Sequence, residues 1–516
     1  RYTNENGWYE SDKVRFRQGT PEKIGGWSRI SVSYFVGVCR SLWNWITLEN
    51  FNLLGVGTNL KFYLENGGQY YNITPIRSAV ILSNPFATVN ASTTVTVTDV
   101  AHGAVNGDFV TFSNVATVGG LDLNNEYQLT LIDGDAYTIT AASAATSTAT
   151  GGGTTVSAVY QINTGLAYET PLTGWGAGNW GSGTWGFGGT STSALRLWSQ
   201  NNFGEDLVYG FRGGAIYYWD ASFGLSPSPF TITIASPGVV TSVLSLSNNT
   251  AVILTNTGFP SALPTGLLVG TTYYVINTTG TTFNLSLTPG GVAINTSGTQ
   301  SGIHYIMPNG INIVSLASAS DCPIIQNFIF VSDISRFVFA FGCNDYSSTT
   351  QNPMLIRWSD QESLVNWTPS ATNQAGSVTL SHGSSIITSI QTRQEILVWT
   401  DSAIYSLQYL GPPVVWSSQL MGDNISILGQ NAAAQASGVV YWMGVDKFYS
   451  YDGRLQTLNC DLRRFVYQDI NLNQNQQAFA GTNEGFNEVW WFYCSANSIT
   501  VDRYVIYNYV EKVWYY

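Results

Sequence analysis

One short phrase recurs six times along this chain: a strand-like run of aliphatic and aromatic residues, followed by polar turn residues and another aromatic. The copies lie at residues 61–63, 216–219, 355–358, 403–405, 447–451 and 504–509. A strand unit that returns at intervals indicates a repeat fold, because one small sheet cannot cover its own faces and needs neighbouring sheets to do so. The pattern therefore predicts a β-propeller with one blade for each copy.

Elsewhere, the sequence alternates short apolar runs with turn-forming residues and shows little helical periodicity. Apolar runs at 328–331, 337–341, 396–399 and 488–493 are bounded by Gly, Asn, Asp and Ser, which is typical of strands joined by turns. We therefore predict an all-β chain, a six-bladed β-propeller with two small inserted β modules. The predicted blades span residues 36–75, 194–227, 322–369, 377–418, 424–460 and 474–516.

Two stretches, at about 84–160 and 229–306, interrupt the blades and are rich in Thr, Ser, Val and Ala. They share one spacing of landmark residues, which are Gly120, Tyr127, Gly134 and Tyr137 in the first and Gly266, Tyr273, Gly280 and Phe283 in the second. This spacing predicts a hairpin in each module. The second glycine would occupy a turn that requires φ > 0, and the two aromatic residues would lie near one another across the strand pair.

A ribbon rich in glycine and tryptophan follows the first module, with Trp175, Trp180 and Trp185 five residues apart. We interpret it as an extended arm pinned by its tryptophans, since three large rings in a mobile linker would be costly to expose. The predicted organisation is a joining segment (1–35), blade 1 (36–83), module 1 (84–160), the arm (161–193), blade 2 (194–228), module 2 (229–306) and blades 3–6 (307–516).

Charged residues make up only 10% of the chain, while aromatic residues make up 14%. A typical soluble domain has about 25% charged residues. Depletion of charge together with enrichment of aromatic residues is characteristic of the core of a protein interface. The composition favours an obligate oligomer; the alternative is that the aromatic residues all pack within the domain.

The net charge is −12 and the isoelectric point is about 4.6, which argues against a sequence-independent grip on nucleic acid. An acidic or neutral lining would instead suit a passage through which DNA slides, because each basic side chain that neutralised a phosphate would hold the DNA in place. Basic residues are locally dense at Lys13, Arg15, Arg17 and Lys23. They could form a docking face for an acidic neighbour or protect an exposed strand edge from wrong pairing.

Sequence motifs for catalysis are nearly missing. The chain has three histidines, His102, His304 and His382, and contains no HExxH pair, no GxSxG elbow and no phosphate-binding loop. Its five cysteines are widely spaced without a CxxC pair, so we expect small buried thiols, not disulfides or a zinc site. We predict no enzymatic activity, no catalytic, cofactor-binding or metal-binding residue, no cofactor and no membrane-spanning segment.

Two acidic turns are the nearest approach to a site. The run from Trp358 to Pro369 is similar to the Ser-x-Asp-x-Gly-x-x-x-Trp turn of sialidase-type blades, but it occurs once and lacks the glycine. We favour a structural turn in which Asp360 caps backbone amides and Trp367 packs beneath it. Asp133 and Asp135 supply too few oxygen ligands for calcium, so a hairpin turn is expected there.

Several longer segments resemble one protein family. They are residues 7–27, 197–207, 357–360, 366–369 and 487–493. These segments resemble the tail nozzle proteins of short-tailed bacteriophages, which are also called tail tubular or phage stabilisation proteins.

The resemblance implies a six-bladed propeller that assembles as a homohexamer below the portal and its adaptor ring. Viral DNA would pass through the lumen without sequence-specific binding, and tail fibres or spikes would attach to the ring. The expected location is the phage tail, after synthesis in the host cytoplasm. The rival hypotheses are a carbohydrate-binding or carbohydrate-processing propeller acting on host surface glycans, and a trimeric receptor-binding fibre tip.

Overall fold

The computed structural model describes residues 11–170 and 195–516, and most of its regular secondary structure is β-strand. The all-β prediction is confirmed. Six four-stranded antiparallel sheets follow one another along the chain, each with its strands paired in sequence order. The recurring phrase falls in the third strand of every one of these sheets.

The strands of the first three sheets are as follows. The first sheet has Cys39–Ile46, Asn52–Thr58, Phe62–Asn66 and Gln69–Asn72. The second sheet has Trp198–Phe203, Asp206–Phe211, Ile216–Trp219 and Ile311–Asn312. The third sheet has Phe328–Val331, Val338–Phe341, Leu355–Trp358 and Gly376–Thr379.

The strands of the last three sheets complete the series. The fourth sheet has Ile386–Gln391, Ile396–Thr400, Ala403–Gly411 and Val415–Asp423. The fifth sheet has Ala433–Ala436, Val439–Met443, Phe448–Tyr451 and Leu455–Leu458. The sixth sheet has Phe479–Asn483, Glu488–Tyr493, Arg503–Asn508 and Val513–Tyr515.

The third strand is the most regular in sequence because it is paired on both edges and covered on both faces. Leu355–Trp358 and Phe448–Tyr451, for example, are buried at every position. A polar turn leads into this strand. The Thr58 hydroxyl accepts from the backbone N–H of Lys61 at 2.8 Å, and Thr400 accepts from that of Ala403 at 2.9 Å. These hydroxyls satisfy backbone groups that the ladder leaves unpaired.

Apolar side chains join each sheet to the next. Phe62 of the first sheet stacks on Tyr209 of the second at 4.2 Å between ring centroids. Val208 of the second sheet shares a buried cluster with Ile329 of the third. The later contacts are again aromatic: Phe339 with Trp416 (5.0 Å), Trp399 with Trp442 (5.3 Å) and Phe448 with Trp491 (5.0 Å). Such pairs add specific geometry to the burial of large apolar areas.

The N-terminal segment lies against both the sixth and the first sheet. Its hairpin, Val14–Arg17 with Thr20–Lys23, packs on the sixth sheet, and Trp27 contacts Trp490 at 5.9 Å. Further along, Phe35 contacts Tyr63 and Tyr70 of the first sheet. The segment thus connects the two ends of the series of sheets.

The first inserted module contains two sheets. One has four strands, ordered Glu126–Gln128, Phe109–Ser113, Val156–Gln161 and Ile76–Leu82. The other has five, ordered Thr130–Leu131, Ala136–Thr140, Thr94–Thr98, Phe86–Thr88 and Ala149–Gly151. Their facing sides enclose one apolar core that includes Phe112, Leu123 and Tyr137.

The second inserted module is a closed six-stranded barrel. Its strands, in order around the barrel, are Ser228–Ile232, Val240–Ser242, Thr282–Ser286, Thr272–Thr279, Ala251–Ala262 and Ser301–Met307. Closure pairs every strand on both edges and removes the exposed sheet edges. The module's core also contacts the first module through Val159.

Each module contains a hairpin around its second glycine, as predicted, but neither hairpin pairs the two aromatic residues with one another. Gly280 has φ +62° and turns the chain between Thr272–Thr279 and Thr282–Ser286, as expected. Gly134 does not have a positive φ, and Tyr127 lies in a different sheet from Tyr137. The chain changes sheets at Leu129, so the aromatic side chains are not paired across a hairpin there.

Several predicted boundaries differ from the observed strands. Ile76–Leu82 pairs with Val156–Gln161 of the first module, although the prediction assigned it to blade 1. Ile311–Asn312 pairs with Ile216–Trp219, so the second sheet is completed only after the barrel. The predicted start of blade 4 at residue 377 falls inside Gly376–Thr379, which belongs to the third sheet. The sequence indicated which segments form strands, but it did not indicate which sheet an edge strand joins.

Short helices and free thiols complete the described residues. The α-helix Arg463–Asp469 lies before the sixth sheet, and the 3-10 helices are Ala221–Phe223, Ile313–Ser315, Leu472–Gln477 and Glu484–Phe486. All five cysteines are free; Cys322, Cys343 and Cys494 are buried, whereas Cys39 and Cys460 are half-buried. Most of the predicted glycine- and tryptophan-rich arm lies outside the described residues.

Candidate functional site

The first strands of all six sheets line one cavity of about 1060 Å³. Each of these strands contributes at least two lining residues, from Cys39 in the first sheet to Gly481 in the sixth. Among the described residues this is the principal concave surface that is built from every repeat, and we take it as the candidate site for a small ligand.

Amide side chains dominate the polar part of the cavity lining. They are Gln200, Asn201, Gln391, Gln430, Asn431, Gln435, Gln476 and Gln477. The charged residues of the lining are Arg40, Asp333 and Arg393, and its aromatic residues include Trp43 and Phe330. Amides and rings of this kind can bind neutral polar ligands by hydrogen bonding and stacking.

Hydrogen bonds at and beside the cavity lining connect parts of the chain that are far apart in sequence. Gln430, just before the fifth sheet, donates from Nε2 to the backbone carbonyl of Trp198 in the second sheet at 2.9 Å. Arg212 donates to Oε1 of Gln476 at 3.4 Å, and Arg40 donates to Oε1 of Gln477 at 3.0 Å.

Two of these basic residues are partly removed from water. Burial lowers the pKa of the Arg40 guanidinium below its usual range. Burial also lowers the pKa of Arg212, although the nearby Glu169 carboxylate, 3.7 Å away, opposes this shift. Burial in turn raises the pKa of Glu169, which Arg212 counteracts. Gln474 exchanges two hydrogen bonds with the backbone of Glu169, whereas Arg40 Nε and Glu169 Oε2 are buried without a hydrogen-bond partner.

The cavity lining offers one carboxylate, Asp333, among the described residues. Most glycoside hydrolases use a pair of carboxylates on either side of the scissile bond. No second Asp or Glu of the described chain reaches the lining. The described residues likewise contain no group of three or more His, Cys, Asp or Glu side chains that could hold a metal ion.

The turn that is similar to sialidase-type blades has the structural arrangement that we favoured. Asp360 Oδ1 accepts from the backbone N–H groups of Gln361 and Gln374, both at 2.9 Å. Trp367 is completely buried beneath the turn and donates to the carbonyl of Leu364 at 2.8 Å. Asp360 is therefore occupied as a backbone cap and lies outside the cavity lining.

The other candidate residues are dispersed. Asp133 and Asp135 lie in a turn, where Asp133 Oδ1 accepts from the backbone of Asp135 at 2.9 Å. His102 contacts the carbonyl of Asp133 at 3.1 Å in the first module, and His304 lies inside the barrel. His382 is exposed beside the fourth sheet. The three histidines do not converge on a common site.

The basic residues of the opening segment differ in burial and in ion pairing. Arg15 is buried and pairs with Glu488, with 2.8 Å between Nε and Oε1, so both interpretations offered for it were wrong. Arg17 and Lys23 are exposed. Lys13 is also exposed and lies 3.5 Å from the carboxylate of Asp12. The clustering of basic residues in the sequence did not show that Arg15 is buried while Lys13, Arg17 and Lys23 are exposed.

A concentration of exposed apolar side chains lies between residues 27 and 51. Its members are Trp27, Ile30, Val32, Tyr34, Val36, Val38, Leu42, Ile46, Leu48 and Phe51, which we call the N-terminal apolar surface. Trp27, Val32, Tyr34 and Leu48 are each more than 80% exposed. Scattered apolar residues are common on soluble proteins, whereas contiguous exposed apolar patches mark interaction sites. Leu42 of this group also lies in the cavity lining.

Sequence reasoning did not identify the cavity or this surface. The amide-rich run at residues 473–477 was a sequence signal for the polar network, since three of its five side chains are Gln and the other two are Asn. The alternation of Leu42, Asn44 and Ile46 on one face of the first strand gave no sign that this face is uncovered. Whether a strand face is exposed depends on whether distant segments of the chain pack on it.

Comparison with known proteins shows a weak likeness to a solved structure. No protein-family model matches the sequence, and no curated protein sequence matches it either. Among solved structures, one titled "Phage phi92 endosialidase" is similar at a TM-score of 0.18 and 10% sequence identity, over 88% of this chain and 52% of that one. This chain therefore spans about half the length of that structure, and we base no argument on the likeness.

Within residues 11–170 and 195–516, no helix is both long enough and apolar enough to span a bilayer.

Proposed function

We propose that this chain is a structural virion protein that forms the tail nozzle of a short-tailed bacteriophage. Copies of the chain would form a homohexameric ring below the portal adaptor, through which the genome is ejected and to which fibres or spikes attach. The proposal rests on the resemblance of the opening segment and later blade segments to that family, together with features of the fold and the surface.

The finer architecture of the proposal is a closed six-bladed propeller. Its support is that the first strands of all six sheets face one cavity and that each sheet packs on the next. The N-terminal segment, which contacts both the sixth and the first sheet, would complete the ring. A ring of hydrogen-bonded sheets is stiff, which suits a part that must resist pressure from packaged DNA.

The DNA passage of this nozzle would lie on the axis of the hexamer and not inside one subunit. The cavity of about 1060 Å³ is comparable with small-molecule sites, and a hydrogen bond from Gln430 to Trp198 joins two of its lining residues. A duplex whose major groove alone is about 12 Å wide needs more room than that. The net charge of −12 suits a lumen that does not hold phosphates.

The single observation that carries the oligomeric part of the proposal is the N-terminal apolar surface. Ten apolar side chains within 25 residues are exposed in the isolated chain, while only 10% of all residues are charged. Large apolar areas that remain exposed on one copy are covered in assemblies. We therefore expect several copies to associate through this region.

Native mass spectrometry and rotational averaging of electron micrographs test the proposal on the full chain. We expect six copies per particle and a central opening wide enough for duplex DNA. A monomer at micromolar concentration would overturn the ring, and three-fold particles would favour the fibre-tip hypothesis.

The cavity supports a second candidate function, which is carbohydrate binding or processing on host surface glycans. Its amide and aromatic lining has the chemistry to bind sugars by hydrogen bonds and ring stacking. A glycan array and a polysaccharide-turnover assay would test this function with wild type and with Arg393→Ala and Asp333→Asn. Binding that these cavity variants abolish, while Asp360→Ala retains it, would support the cavity as a glycan site; binding or turnover by none of the four proteins would exclude it.

A further inference from the structure

Lys61 is a buried lysine between the first sheet and the first inserted module. It comes directly before the strand Phe62–Asn66 and is 3% exposed. Its Nζ atom lies 4.0 Å from the centroid of the Phe109 ring in the first module. Burial lowers the pKa of Lys61, although the Glu126 carboxylate opposes this shift. Desolvation of this kind favours the neutral, nucleophilic form of a lysine amine.

The Glu126 carboxylate contacts two side chains, one with each of its oxygen atoms. Its Oε2 atom forms an ion pair with Nζ of Lys61, and its Oε1 atom accepts from Nε2 of Gln161 at 2.8 Å. Gln161 is 8% exposed. A buried amine and a buried carboxamide therefore share one carboxylate, at the distance over which a positioned side chain transfers protons.

The strand register places Gln161 beside the same aromatic ring. Val110 pairs with Tyr160 in adjacent antiparallel strands, so Phe109 and Gln161 are the next positions along this ladder. The Nε2 atom of Gln161 is fixed by Glu126, and its Oε1 atom is buried without a hydrogen-bond partner among the described residues. The amine, the carboxylate and the carboxamide therefore meet beside one ring.

We propose that Lys61 and Gln161 form an intramolecular isopeptide bond in the folded chain. Glu126 takes a proton from the Nζ ammonium group, and the neutral amine attacks Cδ of Gln161. Glu126 returns this proton to Nε2, and the Cδ–Nε2 bond breaks. The surplus proton on Nζ leaves with the ammonia as an ammonium ion, so that Glu126 is a carboxylate again. Protons and electron pairs balance without any further reactant.

The bond ties the first sheet to the first inserted module. It closes a covalent loop from residue 61 to residue 161, which includes most of that module. A link of this kind restricts the unfolded chain, as a disulfide does. The reaction needs only one folded chain, so the inference goes beyond the proposed nozzle and is tested separately from it.

Gln128 is a matched carboxamide on the other side of the ring. It pairs with Phe109 in the neighbouring strand, but it is exposed. Its Nε2 atom donates to the backbone carbonyl of Gly107 at 2.9 Å. Gln128 therefore has the same functional group near the same ring, with its nitrogen bonded to a carbonyl in place of a carboxylate.

The intact mass of the purified full chain tests the proposal. We expect wild type to be lighter than its sequence mass by one ammonia molecule, and Gln128→Met to show the same loss. Lys61→Arg, Gln161→Met and Glu126→Gln should each have the full mass of their own sequence. Wild type at its full sequence mass would overturn the proposal, as would a loss of ammonia that persists in Lys61→Arg.

Tryptic digestion of denatured wild type gives a second readout that does not depend on a variant being folded. Between residues 41 and 195, trypsin can cleave only after Lys61 and Arg77. An isopeptide bond blocks cleavage at Lys61 and keeps peptide 41–77 joined to peptide 78–196. Free peptides 41–61 and 62–77 would overturn the bond and leave the nozzle standing. A linked chain that is monomeric would support the bond and overturn the nozzle.

Discussion

Arg15 and Glu488, 473 positions apart, form a buried two-point ion pair. Arg15 Nε donates to Oε1 at 2.8 Å and Nη2 donates to Oε2 at 3.1 Å, while the guanidinium lies 3.5 Å from the ring centroid of Phe486. Trp490 also donates to this carboxylate, at 2.9 Å, so Glu488 has several partners in place of water. The pair fixes the N-terminal hairpin to the sixth sheet.

Replacing Arg15 with methionine should destabilise the protein strongly. The change leaves the buried Glu488 carboxylate without its counter-charge, and breaking a buried pair from one side typically costs about 3–5 kcal/mol. The matched control is Arg17→Met at an exposed position two residues away, which should change the free energy of unfolding by less than about 0.5 kcal/mol. Urea unfolding measures both. Equal effects of the two substitutions would contradict a structural role for the pair.

Glu395 gives a stability contribution that depends on acid pH. Burial alone would raise the pKa of its carboxyl, but hydrogen bonds from Ser406, Tyr451 and Gln408 outweigh that effect and lower the pKa below 4.5. The folded state therefore binds fewer protons than the unfolded chain. This contribution is present above pH 4.5 and is lost as the pH falls through the lower folded-state pKa.

We expect Glu395→Gln to lower the free energy of unfolding by about 1–3 kcal/mol at pH 7, because hydrogen bonds to the carboxylate are lost. The difference from wild type should shrink as the pH falls below 4.5. Glu362→Gln, whose exposed carboxylate pairs with Arg336, is the control and should cost no more than about 1 kcal/mol. A difference between wild type and Glu395→Gln that stays constant from pH 7 to pH 3 would refute the assignment.

Gly270 of the second inserted module packs closely against the first. Its φ is +73°, and a Cβ atom there would lie 2.8 Å from Cβ of Ala79 and 3.0 Å from a methyl group of Val159. Gly280 also has a positive φ, +62°, but a Cβ atom there would meet nothing within 4 Å. The two glycines therefore share backbone conformation and differ in crowding.

Alanine substitutions at these glycines should separate strain from packing. Gly280→Ala should cost about 1–2 kcal/mol, the penalty of a left-handed residue with a side chain. Gly270→Ala should cost that amount plus about 1–3 kcal/mol for forcing the modules apart. Thermal or urea unfolding gives both values. Equal costs would show that the modules do not press on one another at Gly270.

His304 should make the barrel less stable in mild acid. Burial lowers the pKa of its ring below 6.5, and its near neighbours Phe230 and Gln300 carry no charge. The unfolded chain then binds more protons than the folded chain as the pH falls below 6.5, so the free energy of unfolding decreases. In His304→Asn this part of the pH dependence should disappear. Unfolding of both proteins between pH 7.5 and pH 5 tests it, and parallel curves would contradict the prediction.

The strand content of this fold was predictable because it is encoded locally. The runs at 328–331 and 488–493 are strands in the structure, and every copy of the recurring phrase is a third strand. A third strand is paired on both edges and covered on both faces, so its burial imposes the same apolar and aromatic composition in each sheet. Because every third strand has this composition, the sequence predicted the number of sheets.

The sequence was less informative where an environment depends on distant residues. Arg15 and Arg17 look alike in the chain, yet one is buried against Glu488 and the other is exposed. Gly134 and Gly280 occupy matching positions in the two modules, yet only Gly280 has a positive φ. Asp360 was correctly predicted as a turn cap, because its partners Gln361 and Gln374 are close in sequence.

The sequence by itself determined that the chain is all-β, that it contains six repeated strand units, and that it is poor in charge. These properties follow from the order and type of residues within a few positions of one another. Only the tertiary structure decided which strands face the cavity, which arginine is buried, and that ten apolar side chains between residues 27 and 51 remain exposed. Burial is set by chain segments hundreds of residues apart, and no local pattern records where those segments meet.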